Sequence, residues 1–124
     1  MSLELQERRT RNVPNGSTLL VKVSTNSNQV NATGRVSHAG GGSTDLTHGA
    51  IFKRVKKIEL EGTGVHIARV NLILNGETQQ TATVEYSIED SGGSEIRSWQ
   101  PEFKGKSSGN DKFIGRAKWT ISVV

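Results

Sequence analysis

The chain contains no cysteine, only two prolines, few aromatic residues and no long hydrophobic run. Without cysteine, disulfides, thiolate nucleophiles and cysteine-ligated zinc are excluded. No stretch approaches the roughly 18 apolar residues of a membrane-spanning helix, and the first residues lack the apolar core of a signal peptide. We therefore expect a soluble protein with no transmembrane segment, either cytoplasmic or released without a signal.

The chain does have the length of one domain, 124 residues, and an excess of positive charge. No internal repeat or shift in composition marks a second domain. We predict a single domain over residues 1–124, in which residues 1–12 form a basic N-terminal arm carrying Arg8, Arg9 and Arg11. The formal net charge of +4 favours anionic partners.

Alternation of apolar and polar residues is the main periodic pattern, and it predicts β-strands. Residues 17–24 place Leu19, Val21 and Val23 on one face. The C-terminal stretch does the same with Phe113, Ala117, Trp119, Ile121 and Val123. Polar residues occupy the opposite parity in both stretches, so we expect each strand to be half-buried.

The dipeptide Asn75-Gly76 lies between two further strand patterns within residues 65–88 and predicts a β-hairpin. A two-residue loop would divide the apolar residues between faces, whereas a three-residue loop with a bulge at Gly76 unites them. In that register one face collects Ala68, Val70, Leu72, Ala82, Val84 and Tyr86. The first strand also carries Val65, Ile67 and Ile73 on its second face, so we expect it to be covered on both sides.

The remaining segments complete an all-β pattern. Residues 94–103 predict a short edge strand because Pro101 cannot donate to a central ladder, and residues 51–60 predict a strand with a bulge. Helical spacing is weak, with at most one turn over residues 3–9. Seven or eight short strands predict an antiparallel β-sandwich, jelly-roll-like or Ig-like, with a closed β-barrel as the alternative.

The stretch HAGGGSTDLTHGAIFKRVKK, residues 38–57, raises the question of a phosphate or metal site. It lacks the Gly-Lys-Ser/Thr and the following helix of a nucleotide loop, so no cofactor is expected. His38, Asp45 and His48 are possible metal ligands, but their spacing matches no tight motif and favours solvated loop donors. The four cations at 53, 54, 56 and 57 point to both faces of an extended strand, so they make no single basic stripe.

No catalytic arrangement is present in the sequence. Paired carboxylates, a serine with a nearby histidine in a positioned motif, and the G-x-S-x-G elbow are all missing, which predicts that the protein is not an enzyme. Glu89-Asp90 and Asn110-Asp111 resemble fragments of calcium loops, yet neither has alternating ligands. Both are interpreted as turns.

The few aromatic residues bear on the type of partner. At 5% of the chain they are too sparse for a base-stacking surface, so no sequence-specific nucleic-acid partner is expected. Trp99, beside Arg97 and Gln100 near a sheet edge, either stacks on a sugar ring or closes one end of the sandwich. Trp119, flanked by apolar residues at i±2, is assigned to the core.

These observations favour a non-catalytic binding module that recognises a glycan or an anionic membrane or cell surface through loops rich in Gly, Ser and Asn. The predicted ligand-binding residues are Trp99, Arg97, Gln100, Lys53, Arg54 and Asp45. The alternative is a self-assembling structural subunit of a virion, phage or other assembly. A homo-oligomer is expected in either case.

Overall fold

The computed structural model describes residues 3–27, 29–46, 55–108 and 111–124, which form ten β-strands. The strands are β1 (Leu3–Val13), β2 (Thr18–Thr25), β3 (Val30–Ser37), β4 (Ser43–Asp45), β5 (Lys56–Glu59), β6 (Gly64–Leu74), β7 (Gln80–Glu89), β8 (Glu95–Trp99), β9 (Glu102–Gly105) and β10 (Phe113–Val123). Among these residues there is no helix long and apolar enough to cross a membrane. The predicted all-β class is confirmed.

Two five-stranded sheets pack face to face. Sheet A has the order β1-β10-β6-β3-β4, and sheet B has the order β5-β2-β7-β8 with β9 also pairing β7. Every pair is antiparallel except β1 and β10, which are parallel. Neither sheet closes on itself within the described residues, so the structure confirms the sandwich over the barrel.

The core lies between the sheets and is built by the alternation that the sequence shows. The predicted inward residues of β2 and β10 are buried. Trp119 is fully buried, and its indole N–H donates a 2.7 Å hydrogen bond to the Thr10 hydroxyl of β1. This bond satisfies the one polar atom of the indole, which would otherwise lose its water without compensation.

The hairpin predicted around Asn75-Gly76 is wrong. β6 belongs to sheet A and β7 to sheet B, so residues 75–79 cross from one sheet to the other. The six apolar residues assigned to a common hairpin face are all buried, but they face one another across the interior. Two strands bury their apolar residues equally well when they are hydrogen-bonded neighbours in one sheet and when they face each other from opposite sheets. The periodicity of the sequence does not distinguish these two arrangements.

The expectation that β6 is covered on both sides is also wrong. β6 is central in sheet A, between β10 and β3. Its second face, however, is on the outside of the sandwich, where Val65 is 49% exposed and Ile67 and Ile73 are half-buried.

Residues 3–13 form the edge strand β1 within the segment predicted as a basic N-terminal arm, and the single helical turn expected over residues 3–9 is wrong. β1 pairs with β10 from Leu3 to Val13, with a register shift after Thr10, next to Asn12 at a φ of 61°. Its exposed charged side chains, Glu7, Arg8, Arg9 and Arg11, are typical of edges that resist pairing with other sheets. The N-terminal charge is therefore held in place on sheet A.

The ten strands exceed the predicted seven or eight because a short or divided strand contains too few residues to show a clear alternation of apolar and polar side chains. β4 has three residues, β1 was assigned to an arm, and the edge strand of residues 94–103 is divided into β8 and β9 at Pro101. The predicted strand at 51–60 is confirmed for Lys56–Glu59 as β5, while residues 51–54 lie outside the described residues.

Candidate functional site

The outer face of sheet A brings charged residues from five strands into one row. Lys118 of β10 pairs with Arg69 of β6, Arg69 pairs with Arg35 of β3, and Arg35 pairs with Asp45 of β4. On the other side Lys118 pairs with Glu7 of β1. The row therefore has a carboxylate at each end and three adjacent cations between them, with neighbouring strands about 4.8 Å apart.

The two carboxylates lie within ion-pair distance of the outer cations of this row and leave the central cation without a partner among the described residues. Asp45 Oδ1 lies 2.9 Å from Arg35 Nε, and Glu7 Oε1 lies 3.9 Å from Lys118 Nζ. Arg69 is exposed and has no hydrogen-bond or ion-pair partner among the described residues. Like charges directly opposite each other across strands are destabilising, so an anion bound at Arg69 would relieve a repulsion that the fold itself leaves in place.

Charge is separated between the two outer faces of the sandwich. The outer face of sheet A carries five cations and two acids: Arg9, Arg35, Arg69, Arg116, Lys118, Glu7 and Asp45. Among the described residues, the outward positions of sheet B carry three lysines and five glutamates: Lys22, Lys57, Lys104, Glu59, Glu85, Glu89, Glu95 and Glu102. The exposed cations Lys56 and Arg97 lie at inward positions of its two edge strands. One face is therefore basic and the other acidic. We call them the basic face and the acidic face.

A depression of about 420 Å³ opens on the basic face over β3, β4 and β6, and Arg35, Asp45 and Arg69 line it. Gly34 leaves room for this arrangement. Leu46, which follows Asp45, turns into the core directly beneath Gly34. The Leu46 N–H donates to the Gly34 carbonyl at 2.9 Å, and a Cβ at position 34 would lie 2.9 Å from Leu46 Cδ1. The buried leucine thus ends β4 and holds Asp45 beside Arg35.

A second depression, of about 300 Å³, extends the basic face to the β1 edge. Its lining includes Arg9, Arg11 and Lys118, and Arg9 Nε lies 3.3 Å from Glu7 Oε1. Cations from β1, β10, β6 and β3 are consequently continuous across the sheet. This continuity suits an extended ligand better than a single small molecule.

The structure places Trp99 against the core. Its ring is stacked on Tyr86, with a centroid distance of 5.7 Å and an interplanar angle of 9°, and meets Trp119 edge-on at 6.3 Å. It remains partly exposed. One ring face is thus covered by Tyr86, which is the arrangement expected of a side chain closing the sandwich, and sugar stacking on Trp99 stays a prediction.

The other predicted ligand-binding residues do not converge on Trp99. Arg97 is exposed and donates a 2.7 Å hydrogen bond to the adjacent Ile96 carbonyl, and Gln100 lines a shallow depression on the acidic face. Asp45 lies on β4, at the edge of sheet A away from the β10 region that Trp99 contacts. Lys53 and Arg54 lie outside the described residues. Of the four that the structure describes, only Asp45 belongs to the basic face.

Residues 38–42, which include three consecutive glycines, form a tight loop between β3 and β4. The His38 N–H donates to the Gly42 carbonyl, and the Gly41 N–H donates to the His38 carbonyl, both at 3.1 Å. His38 Nε2 shares a 2.7 Å hydrogen bond with the Thr44 hydroxyl. This pair resembles a base with a nucleophile, but His38 Nδ1 has no hydrogen-bond partner among the described residues to orient the ring.

The sequence offers His38, Asp45 and His48 as possible metal ligands, of which His48 lies outside the described residues. Within the described ranges, no group of three or more His, Cys, Asp or Glu side chains is placed to hold a metal ion. The turn interpretation is confirmed for Asp90, whose Oδ1 accepts hydrogen bonds from the Gly92 and Ser94 N–H groups, whereas Glu89 is the last residue of β7. Asn110 also lies outside the described residues.

Sequence reasoning missed Arg35, Arg69, Arg116 and Lys118 as functional candidates. Each occupies the polar parity of an alternating strand, so periodicity assigns it to an outer face. It does not say that these strands are neighbours. No family model, curated protein or solved structure matches the chain, so the function is inferred from the geometry of this face.

Proposed function

We propose that this protein is a non-catalytic binding module for an extended anionic surface and that it binds through the basic face. The observation that carries the proposal is the separation of charge between the two faces of the sandwich. The sheets are about 10 Å apart, and the Debye length is about 8 Å at physiological ionic strength. Because the charged side chains project outward from both sheets, the exposed charges of the two faces are separated through solvent by more than a Debye length, and a ligand at the basic face is largely screened from the acidic one.

The chemistry of the basic face supports oxyanion binding. Four of its five cations are arginines, whose planar guanidinium groups form paired hydrogen bonds with sulfate, phosphate or carboxylate oxygens. Among the described residues the aromatic side chains point into the sandwich or pack against its core, so this face offers no platform for base stacking. This composition supports recognition of charge and substituents over readout of nucleic-acid bases.

Heparin-affinity chromatography with charge-matched variants tests the proposal. We expect Arg35→Gln/Arg69→Gln/Arg116→Gln to elute at markedly lower salt than the wild type, because the ionic contacts that resist displacement are lost. The control is Lys22→Gln/Lys57→Gln/Lys104→Gln, which removes the same charge from the acidic face. Equal shifts for the two variants would show that net charge alone governs binding and would contradict the assignment to the basic face.

The opposite charges of the two faces also favour a second function, as a self-assembling subunit. The basic face of one copy complements the acidic face of another, and such head-to-tail contacts propagate into open stacks. Light scattering after size exclusion should then show assemblies at low salt that dissociate at high salt. Glu85→Gln/Glu95→Gln/Glu102→Gln should abolish the stacks while retaining heparin binding. A monomer at every salt concentration would eliminate this candidate.

A further inference from the structure

The depression beside Arg69 offers more than positive charge. The two guanidinium groups of Arg35 and Arg69 share it with the Asp45 carboxylate, the Asn71 amide and the Thr33 hydroxyl. Its volume of about 420 Å³ lies within the roughly 300–1,000 Å³ of typical ligand pockets. The lining thus combines cationic groups that bind anions with other polar groups that donate or accept hydrogen bonds.

This combination distinguishes the possible anionic partners. The headgroup of phosphatidylserine presents a phosphate, a carboxylate and an ammonium group, but no hydroxyl. The hydroxyl groups of a sugar, by contrast, donate to a carboxylate and also exchange hydrogen bonds with amide and hydroxyl side chains. An acidic glycan presents hydroxyl groups beside each anionic substituent and so uses every group in the depression, whereas phosphatidylserine has no headgroup hydroxyl to pair with Thr33 and Asn71.

We propose that the depression is a subsite for one acidic sugar residue of a glycan, an inference that rests on the proposed function. Arg69 binds the sulfate or carboxylate substituent, and Thr33 and Asn71 bind sugar hydroxyls. Thr33 and Asn71 are direct partners across β3 and β6, in the register next to the pair Arg35 and Arg69. The four side chains therefore occupy a two-by-two array, about 4.8 Å across strands and about 7 Å along them.

The ion pairs around the depression determine which cation is available. The 2.9 Å contact between Arg35 Nε and Asp45 Oδ1 orients both side chains, while Arg69 has no described partner and is free to bind the substituent. Lys118 and Arg116 lie on the other side of Arg69. They extend the positive potential toward β1, so adjacent acidic residues of the same glycan chain continue along the basic face.

Binding to a heparin octasaccharide, measured by isothermal titration calorimetry, tests the subsite in two variants that keep the net charge constant and in a third that removes the Arg69 charge. We expect Thr33→Val and Asn71→Leu each to weaken binding about three- to tenfold, the effect of losing one hydrogen bond. Arg69→Gln should weaken it by about tenfold or more, because a charge-assisted contact is lost. Thr83→Val, on the acidic face, is the matched control and should leave the affinity unchanged.

Two comparison ligands separate failure of the subsite from failure of the proposed function. Phosphatidylserine vesicles should bind Thr33→Val and Asn71→Leu as they bind the wild type, and neutral maltooctaose should not bind. If the two uncharged substitutions leave octasaccharide affinity unchanged, or if maltooctaose binds as well as the octasaccharide, the subsite is refuted. If the triple arginine variant also binds the octasaccharide normally, the proposed function fails with it.

Discussion

Tyr86 is the buried ionisable residue at the centre of the aromatic cluster. Its ring lies against Trp99 and at 5.4 Å from Trp119, and its hydroxyl donates a 3.2 Å hydrogen bond to the Ala117 carbonyl. Burial raises the pKa of Tyr86 well above its usual range, since the phenolate would lose its hydration. The folded protein therefore holds the neutral phenol at pH values where the unfolded chain has lost the proton.

This shift gives an alkaline limit to stability. Because the folded pKa is raised, the contribution is fully present below about pH 10, the unfolded value, and is lost as the pH rises further. Tyr86→Phe should lower the free energy of unfolding by about 1 kcal/mol at pH 7, through the lost hydrogen bond, yet flatten its decline above pH 10. Urea unfolding of both proteins from pH 7 to 11 measures this. Parallel declines would mean that Tyr86 does not set the limit.

At the level of whole elements, the crossing from β6 to β7 is held by the side chain of Gln80. This glutamine is 2% exposed. Its carbonyl accepts the Gly76 N–H at 3.1 Å, and its amide donates to Ser27 Oγ at 3.0 Å and to Gln29 Oε1 at 3.1 Å. The Gln80 side chain thereby joins the β6–β7 crossing to the β2–β3 connection. The chain changes sheets at that connection as well.

Gly76 is required at this crossing for space. A Cβ there would overlap the Gln80 carboxamide, so Gly76→Ala should displace it and leave buried polar atoms unpaired, at a cost of about 1–3 kcal/mol. Gly40→Ala, where nothing lies within 4 Å of the added carbon, is the control and should change stability by less than about 0.5 kcal/mol. Thermal unfolding compares the two, and equal effects would exclude Gln80 as the cause.

At the scale of the whole molecule the two faces differ in charge, and the adjacent cations of the basic face have a cost in stability that can be measured. Arg69 stands between Lys118 and Arg35, so Arg69→Thr should raise the free energy of unfolding by about 0.2–1 kcal/mol at low salt. The gain should vanish at high salt because screening removes the repulsion. We also expect this substitution to weaken the proposed binding to heparin, so that Arg69 would lower stability while it supports binding.

Lys22→Thr provides the contrasting control on the acidic face. Lys22 pairs with Glu85 across β2 and β7, so this variant loses an attraction and should be slightly destabilised at low salt. Both variants replace a long cation with a residue that favours strands, so β propensity cancels in the comparison. The same sign of change in both would show that propensity, and not the arrangement of charge, determines the result.

Individual strands were predictable because side-chain direction has a period of two along an extended chain. That period assigned Leu19, Val21 and Trp119 to the interior, and it identified the residues of β6 and β7 that are buried. It did not identify the partner of either strand. Asn75-Gly76 favoured a hairpin locally, but packing the two apolar faces against each other across the core buries both.

The amino-acid sequence by itself thus determined the all-β class, the inward face of most strands and the excess of positive charge. Only the tertiary structure decided that β10, β6 and β3 are neighbours, and hence that Lys118, Arg69 and Arg35 stand side by side. The physical reason is that strand order depends on pairing between segments distant in the chain. Such pairing is chosen by the burial of the whole core and not by any local pattern.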